Sequence, residues 1–238
     1  MRKRIVLLIL TLGISGCGKR TMNPPASPGA TAAGAALVEV SGGKQVTRIG
    51  AALEQPVVVQ VNDAQGTAVQ GASVSFSGAG VNFDPATGLT DPSGQFSSQV
   101  SAPGVGGHFE VVASINSGEV QLKIDEIALG YEEVLGRQLN AQYCARCHDP
   151  ESTPERVSNM DNLDPKPHAF TDGDTFNKIS DADLVAIISH GGAALNKSAS
   201  MPPFGYTLSK TDIQALSSFI RAVSDPPYRA PGRAYASK

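Results

Sequence analysis

Residues 144–148 read CARCH, which places two thiols and one imidazole within five consecutive positions. Cys144 and Cys147 are three residues apart, so in a helix both side chains lie on one face, and His148 follows directly. The chain contains one other cysteine, Cys17. Two thiols at this spacing serve dithiol redox exchange, the binding of a structural metal ion, or the covalent attachment of a cofactor.

Two of these chemistries need surroundings that the sequence lacks. A thioredoxin-like pair lies in a strand–helix–strand unit, and the residues around the motif have no such alternation. A structural zinc site takes four ligands, and the three remaining histidines have no zinc-like spacing. Covalent haem attachment needs only the motif, because two thiols add to the two haem vinyl groups and the histidine binds the iron. The sequence therefore predicts one haem c, bound covalently by Cys144 and Cys147 and axially by His148.

The second axial ligand is predicted to be Met201, in the segment SMPPFGYTLS. A thioether is a soft ligand that suits haem iron and raises its reduction potential. Pro202 and Pro203 restrict the backbone after Met201, so little entropy is lost in holding the sulfur in place. Two competitors are weaker candidates. Met160 lies in polar sequence typical of a surface, and His190 lies in the last turn of a helix, where a partial positive charge suits the helix dipole.

A ligand histidine also needs an acceptor for its other ring nitrogen. The segment PKPHAF, residues 165–170, is expected to pass beside His148. The backbone carbonyl of Pro165 or of Pro167 is the predicted acceptor, and the sequence does not distinguish between the two.

Three segments of the C-terminal half have helical periodicity, namely residues 131–144, 180–192 and 209–223. The second and third each open with a serine that is followed three residues later by an aspartate, a capping-box pattern. The second also ends at a pair of glycines. These patterns predict helices on both sides of the segment that carries Met201.

Residues 131–226 resemble the class I, monohaem cytochrome c family. Gly136 precedes the first cysteine at the family's spacing, and Phe219 matches the aromatic residue that meets this glycine in the last helix. Met201 with its prolines matches the family's ligand loop. Asn140 stands where the family often has an aromatic residue, so we expect the first helix to pack less well than usual. The resemblance implies an all-α fold in which the first and last helices cross at Gly136.

The residues before this region alternate between apolar and polar side chains, as in VVVQV at 57–61 and FEVVASI at 109–115. Turn sequences such as NDAQG, DPATG and DPSG separate these runs. The pattern predicts an antiparallel β-sandwich. The segments VQVNDAQGTAVQGASVSFSGAG and TGLTDPSGQFSSQV resemble bacterial Ig-like domains of the invasin/intimin group, which implies a spacer or interaction module without catalytic residues. His108 is expected to be a surface residue.

The N-terminus begins with the basic stretch MRKR and the apolar stretch IVLLILTLGI, which is too short to span a bilayer. ISGC follows and resembles the lipobox of bacterial lipoproteins. The resemblance implies acylation of Cys17 and anchoring in a lipid bilayer. Gly18 takes the place of an inner-membrane retention residue, which favours the outer membrane.

The sequence thus predicts a multidomain chain. Its parts are a signal peptide at 1–16, a lipidated flexible tether at 17–36, an all-β Ig-like sandwich at 37–127, an all-α cytochrome c fold at 128–226 and a C-terminal tail at 227–238. The formal net charge is −3, without the excess of Lys and Arg that nucleic-acid binding requires, so no nucleic-acid partner is expected.

With both axial positions filled, the iron has no open position for a substrate, so we expect single-electron transfer and not an enzyme. The expected partners are redox proteins, and the expected location is the bacterial cell envelope, facing the periplasm or the exterior. Two alternatives stay open. One is a haem-based sensor or haem enzyme with a displaceable sixth ligand, and the other is an adhesion or partner-binding protein with an accessory haem.

Overall fold

The computed structural model describes residues 34–149 and 158–231. The predicted signal peptide, Cys17 and most of the tether lie outside these ranges. Within them the chain forms nine strands and then five α-helices. The strands are β1 Ala36–Ser41, β2 Val46–Arg48, β3 Val57–Asn62, β4 Ser73–Ser77, β5 Asn82–Asp84, β6 Thr87–Leu89, β7 Gln95–Ser101, β8 Gly107–Ile115 and β9 Val120–Leu129. The helices are α1 Tyr131–Leu139, α2 Ala145–His148, α3 Gly173–Phe176, α4 Asp181–His190 and α5 Lys210–Val223.

The strands form two sheets, with orders β1-β3-β7-β5 and β2-β9-β8-β4-β6. The predicted all-β sandwich is therefore confirmed. The prediction of a wholly antiparallel sandwich is wrong in one place, because β2 runs parallel to β9, with Val46 beside Ile127. β2 is only three residues long, too short for its direction to be inferred from an alternating pattern.

The two sheets enclose an apolar core that follows the predicted alternation. Val57, Val59 and Val61 of β3 are fully buried, and the residues between them are partly exposed. On β4 the buried Phe76 stacks against Phe83 and Phe96, with ring centroids 5.9 and 5.7 Å apart. Burial of alternate side chains from both sheets is what holds the sandwich together.

The caps of α4 and α5 confirm the two serine–aspartate patterns. The Ser180 hydroxyl accepts a hydrogen bond from the backbone N–H of Asp183 at the start of α4. Ser209 and Asp212 form a reciprocal capping box at the start of α5. α4 ends at His190 because Gly191 takes a left-handed φ of 79°, which glycine adopts without strain.

α1 and α5 cross in close contact at Gly136, as the cytochrome resemblance implied. A Cβ atom at Gly136 would overlap the carbonyl oxygen of Ala215 and lie 2.6 Å from Cβ of Phe219. One turn further, Asn140 is buried, and its Oδ1 has no hydrogen-bond partner among the described residues. The backbone changes there from an α-helix to a π-helical turn over Asn140–Cys144. A π turn beside a buried amide is a local irregularity directly before the CARCH motif.

The last strand of the sandwich contributes to the apolar core of the helical region. Ile127 and Leu129 of β9 pack with Leu216 and Ile220 of α5 in one buried cluster, and Val46 of β2 packs against the same cluster. A further link comes from α1, where the Arg137 guanidinium donates to the carbonyl oxygen of Val46 over 3.0 Å. The transition from strands to helices therefore runs through packed side chains. No helix within the described residues is long and apolar enough to cross a membrane.

We expect Gly136→Ala to lower the free energy of unfolding by about 1–3 kcal/mol, because the added methyl group must push α1 and α5 apart. Alanine is the better helix former by about 1 kcal/mol, so a net loss isolates the overlap with α5. Urea unfolding of the full chain, followed by circular dichroism, measures the change.

The control for this substitution is Gly104→Ala, since Gly104 is exposed and a Cβ there would meet no heavy atom within 4 Å. It should change the free energy of unfolding by less than about 0.5 kcal/mol. A Gly136→Ala variant as stable as the Gly104→Ala variant would show that the crossing does not depend on the glycine.

Candidate functional site

A cavity of about 640 Å³ lies in the helical region and brings together the four residues predicted to hold a cofactor. Cys144, Cys147, His148 and Met201 all line it. Most of its remaining wall is apolar, from the loop after the motif and from α3, α4 and α5. These wall residues are Leu163, Phe170, Phe176, Ile179, Leu184, Ile187, Ile188, Phe204, Leu216 and Ile220.

The CARCH residues reach the cavity from the end of α1. The π-helical turn carries Cys144, and the short helix α2 carries Cys147 and His148. Both thiols are free and partly buried. Burial raises the pKa of the Cys144 thiol to about 12, with a smaller contribution from the negative charge of Asp149. Cys144 is therefore a neutral thiol at physiological pH.

The tautomer of His148 is fixed by its hydrogen bond. Nδ1 of His148 lies 2.8 Å from the backbone carbonyl oxygen of His168. Because a carbonyl can only accept, Nδ1 carries the proton and Nε2 keeps its lone pair. Burial lowers the pKa of His148, which favours the neutral ring, and the ring stacks on Phe170 with centroids 4.5 Å apart. A neutral imidazole with a free Nε2 is the form that binds a metal ion.

The predicted acceptor for His148 is wrong. The hydrogen bond goes to His168, whereas Pro165 and Pro167 line the cavity without receiving it. His168 is held in turn by Asp172, whose Oδ2 lies 2.8 Å from Nδ1 of the His168 ring. The other oxygen of Asp172 caps α3 by accepting from Thr175 N–H over 3.1 Å. Aspartate is a preferred N-cap residue, so Asp172 could have indicated from the sequence that a helix begins just after His168.

Met201 is held by a loop between α4 and α5 that is closed by its own backbone. Met201 donates through its N–H to Ser198 over 3.3 Å and accepts at its carbonyl from Gly192 over 3.1 Å. Lys197 N–H donates to the Gly192 carbonyl over 2.8 Å. A side chain at Gly191 would lie 2.8 Å from the Met201 carbonyl oxygen, so the glycine also allows the close approach of this loop. The loop thus fixes the backbone from which the thioether reaches the cavity.

The competing candidates do not line the cavity. Met160 is 7% exposed, so the expectation that it lies on the surface is wrong. It is still not a candidate ligand, because it does not line the cavity. His190 is exposed at the end of α4. His108, predicted to be a surface residue, is partly exposed. Its side chain is 13% exposed, and its Nδ1 lies 2.6 Å from Oδ2 of the exposed Asp125. The register that places His108 diagonally across from Asp125 could not be read from the sequence.

The residues of the cavity fit a covalently bound haem. Two free thiols, one imidazole with an available Nε2 and one thioether share a mainly apolar cavity. Within residues 34–149 and 158–231, no three side chains of His, Cys, Asp or Glu come together in a group that could hold a metal ion by themselves.

Comparison with known protein families gives one match for the helical region. Residues 134–220 match the family model of "Cytochrome C oxidase, cbb3-type, subunit III". The match spans the CARCH motif, Met201 and most of α5, and it covers less than half of the chain. This part of the chain is therefore similar to a cytochrome c domain. No curated protein sequence matches the chain significantly.

The N-terminal part matches solved structures of bacterial Ig-like domains. The D0-D1 domains of intimin align at 17% identity over 39% of this chain and 46% of that chain, with a TM-score of 0.32. Invasin, described as a bacterial integrin-binding protein, aligns at 20% identity over 40% of this chain and 19% of that chain, with a TM-score of 0.33. The Yersinia pseudotuberculosis adhesin InvE aligns at 17% identity over 39% and 30%, with a TM-score of 0.31. The chain spans less than half of the length of each of these structures.

Proposed function

We propose that this chain is an electron-transfer cytochrome c with one haem. Cys144 and Cys147 would hold the haem through thioether bonds, and His148 and Met201 would supply the nitrogen and sulfur ligands of its iron. The observation that carries this proposal is the meeting of all four side chains in one cavity of about 640 Å³. The match of residues 134–220 to a cytochrome family supports it.

When bound, the haem supplies an iron that accepts and releases one electron. The chain contributes the ligands and their surroundings. The His168 carbonyl holds the His148 ring in the tautomer that presents Nε2, and Phe170 stacks against this ring. The apolar wall excludes water, which disfavours the more highly charged oxidised state and so raises the reduction potential together with the Met201 sulfur.

Two protein ligands leave no open coordination position for a substrate, which favours electron transfer over catalysis. A haem-based sensor or enzyme needs a sixth ligand that small molecules displace. The loop that carries Met201 is held by backbone hydrogen bonds, including those that join Gly192 and Ser198 to Met201, and this favours a ligand that stays in place.

We further propose that acylated Cys17 anchors the protein to a bilayer, with outer-membrane sorting, and that the sandwich acts as a spacer or docking module for a redox partner protein. The support for the anchor is the lipobox resemblance of ISGC after a short apolar segment. The support for a passive sandwich is its core of aliphatic and aromatic side chains with polar turns.

Met201→Ala should abolish the weak thioether-to-iron charge-transfer band at the red edge of the ferric absorption spectrum. It should also speed the binding of carbon monoxide to the reduced protein, because the sixth position opens. The reduction potential should fall, because a methionine ligand raises it. Absorption spectroscopy, stopped-flow binding and redox titration measure the three effects.

The matched controls are Met160→Leu, which keeps the volume of this buried side chain, and His190→Ala at an exposed position. Both should leave all three properties unchanged. Rapid carbon monoxide binding by the wild type, unaltered by Met201→Ala, would contradict the axial role of Met201 and favour the sensor or enzyme alternative.

Replacing Cys17 with serine should release the protein from the membrane fraction, because one or more acyl chains supply the membrane affinity. Fractionation of cells that express the wild type and the variant measures this. A Cys17→Ser variant that stays with the membranes to the same extent as wild type would place the anchor elsewhere.

A further inference from the structure

Glu126 is a carboxyl group in the core of the sandwich. Its residue is 0% exposed, and it lies on the face of β9 that also carries Ile124 and Ala128, two members of the apolar core. An ionised carboxylate in such a place loses its hydration and needs strong partners to compensate.

The partners of Glu126 are few. Oε2 accepts a hydrogen bond from the backbone N–H of Gln45 over 2.6 Å. Oε1 is buried and has no hydrogen-bond partner among the described residues. One backbone donor does not replace the several hydrogen bonds that water gives to a carboxylate, so the neutral acid is the better-tolerated form here.

The charges around Glu126 add to this effect. Glu39 of β1 and Asp125 of β9 both raise its pKa by repulsion. Burial is the larger cause, and together they raise the pKa of Glu126 to about 7 against the opposing hydrogen bond from Gln45. The other charged side chains of β8 and β9 near Glu126 lie on the opposite face of the sheet. On β9 they stand an odd number of residues from Glu126, and on β8 they stand next to Phe109, the residue opposite Glu126, or pair with β9 residues of that opposite face. They are His108, Glu110 and Lys123, of which His108 bonds to Asp125 and Glu110 pairs with Lys123. The turn before β2 adds Lys44, whose N–H bonds the Asp125 carbonyl.

The residue that binds Glu126 also begins the contact with the helical region. Gln45 receives a hydrogen bond at its carbonyl from Ile127 N–H over 3.0 Å, and it directly precedes Val46 of β2. Val46 packs on the helical core and accepts from Arg137 of α1. The Glu126 carboxyl, together with the hydrogen bonds of the Gln45 side chain to Gly42 and Gln55, thus holds the start of the one parallel strand pair of the described sandwich. Arg137 links α1 to the same strand.

We propose that Glu126, Gln45, Val46 and Arg137 form a proton-linked junction between the sandwich and the helical region. With Glu126 protonated, β2 stays on β9 and the junction is closed. With Glu126 ionised, the charge has no adequate partners in the core, and the start of β2 opens to admit water. The junction therefore loosens as the pH rises to neutrality and above.

The direction follows from linkage. The pKa of Glu126 is higher in the closed junction than in an open one, where it returns to about 4.5. The extra stability of the closed form is complete below the lower value, falls as the pH rises, and is lost once the pH passes about 7. Above that value both forms are ionised, and the stability of the junction becomes independent of pH.

Hydrogen exchange of the full chain tests the proposal. The rates are corrected for the intrinsic pH dependence of exchange, and the amides followed are those of β2 and α1, with β4 as an internal reference. Between pH 5.5 and 7.5 the protection of β2 and α1 should fall by roughly tenfold to thirtyfold, while that of β4 stays constant. Glu126→Gln keeps the shape of the side chain and an acceptor for Gln45 but cannot ionise. In this variant the protection of β2 and α1 should therefore not change with pH.

Two more variants make the test specific. Glu119→Gln, at an exposed turn, should behave as the wild type. Glu39→Gln removes one repulsive charge, so the fall in protection should move to lower pH by a fraction of a unit. The proposal is overturned if wild type and Glu126→Gln lose protection in parallel, if β4 loses protection as much as β2, or if Glu39→Gln shifts the profile to higher pH.

Discussion

The close contact of α1 with α5 at Gly136 is the constraint on which the rest of the helical region depends. It places the end of α1 next to Leu216 and Ile220, two residues of α5 that line the cavity. The π-helical turn follows α1 directly and ends at Cys144, so this one turn brings the cysteine from the crossing to the cavity wall. Because Arg137 follows Gly136 directly and binds the carbonyl of Val46, the same helix is also fixed to the sandwich.

Burial is the largest cause of the pKa shifts of Cys144, His148 and Glu126. It raises the pKa of the Cys144 thiol and lowers the pKa of His148, so it favours the neutral form of both groups. It acts in the same direction on Glu126, favouring the neutral carboxylic acid. For Glu126 the balance lies near neutrality, and this makes the junction sensitive to pH.

The sequence predicts the site better than it predicts the surroundings of the site. CARCH, the methionine before two prolines and the serine–aspartate caps are local patterns. The structure brings the residues of the first two to one cavity and forms both caps. The acceptor of His148 could not be found in this way, because a backbone carbonyl leaves no trace in residue types. The direction of β2 was equally inaccessible, since three residues show no usable period. The burial of Met160 could not be predicted from its polar neighbours in the sequence.

The burial of Glu126 is a different case. In VQLKIDEIAL the alternation of Ile124, Glu126 and Ala128 places the carboxyl on the same face as two core residues, so the signal was present. The alternating pattern does not show which residues of the opposite sheet and of the neighbouring turns pack over this end of β9. The buried position follows from the approach of Gln45 and β1, and these are contacts between residues far apart in the sequence.

In the proposed cytochrome one haem joins Cys144 to Cys147, and trypsin provides a direct measurement because Arg146 lies between them. Digestion of the unfolded holoprotein cuts after Arg146 and separates residues 138–146 from residues 147–156. Mass spectrometry under reducing conditions should find these two peptides as a single species that carries one haem. In Cys147→Ser the two peptides should separate, with the haem on the first alone. Two unmodified peptides from the wild type, or a pair that is joined only until a disulfide is reduced, would show that no haem joins the two cysteines.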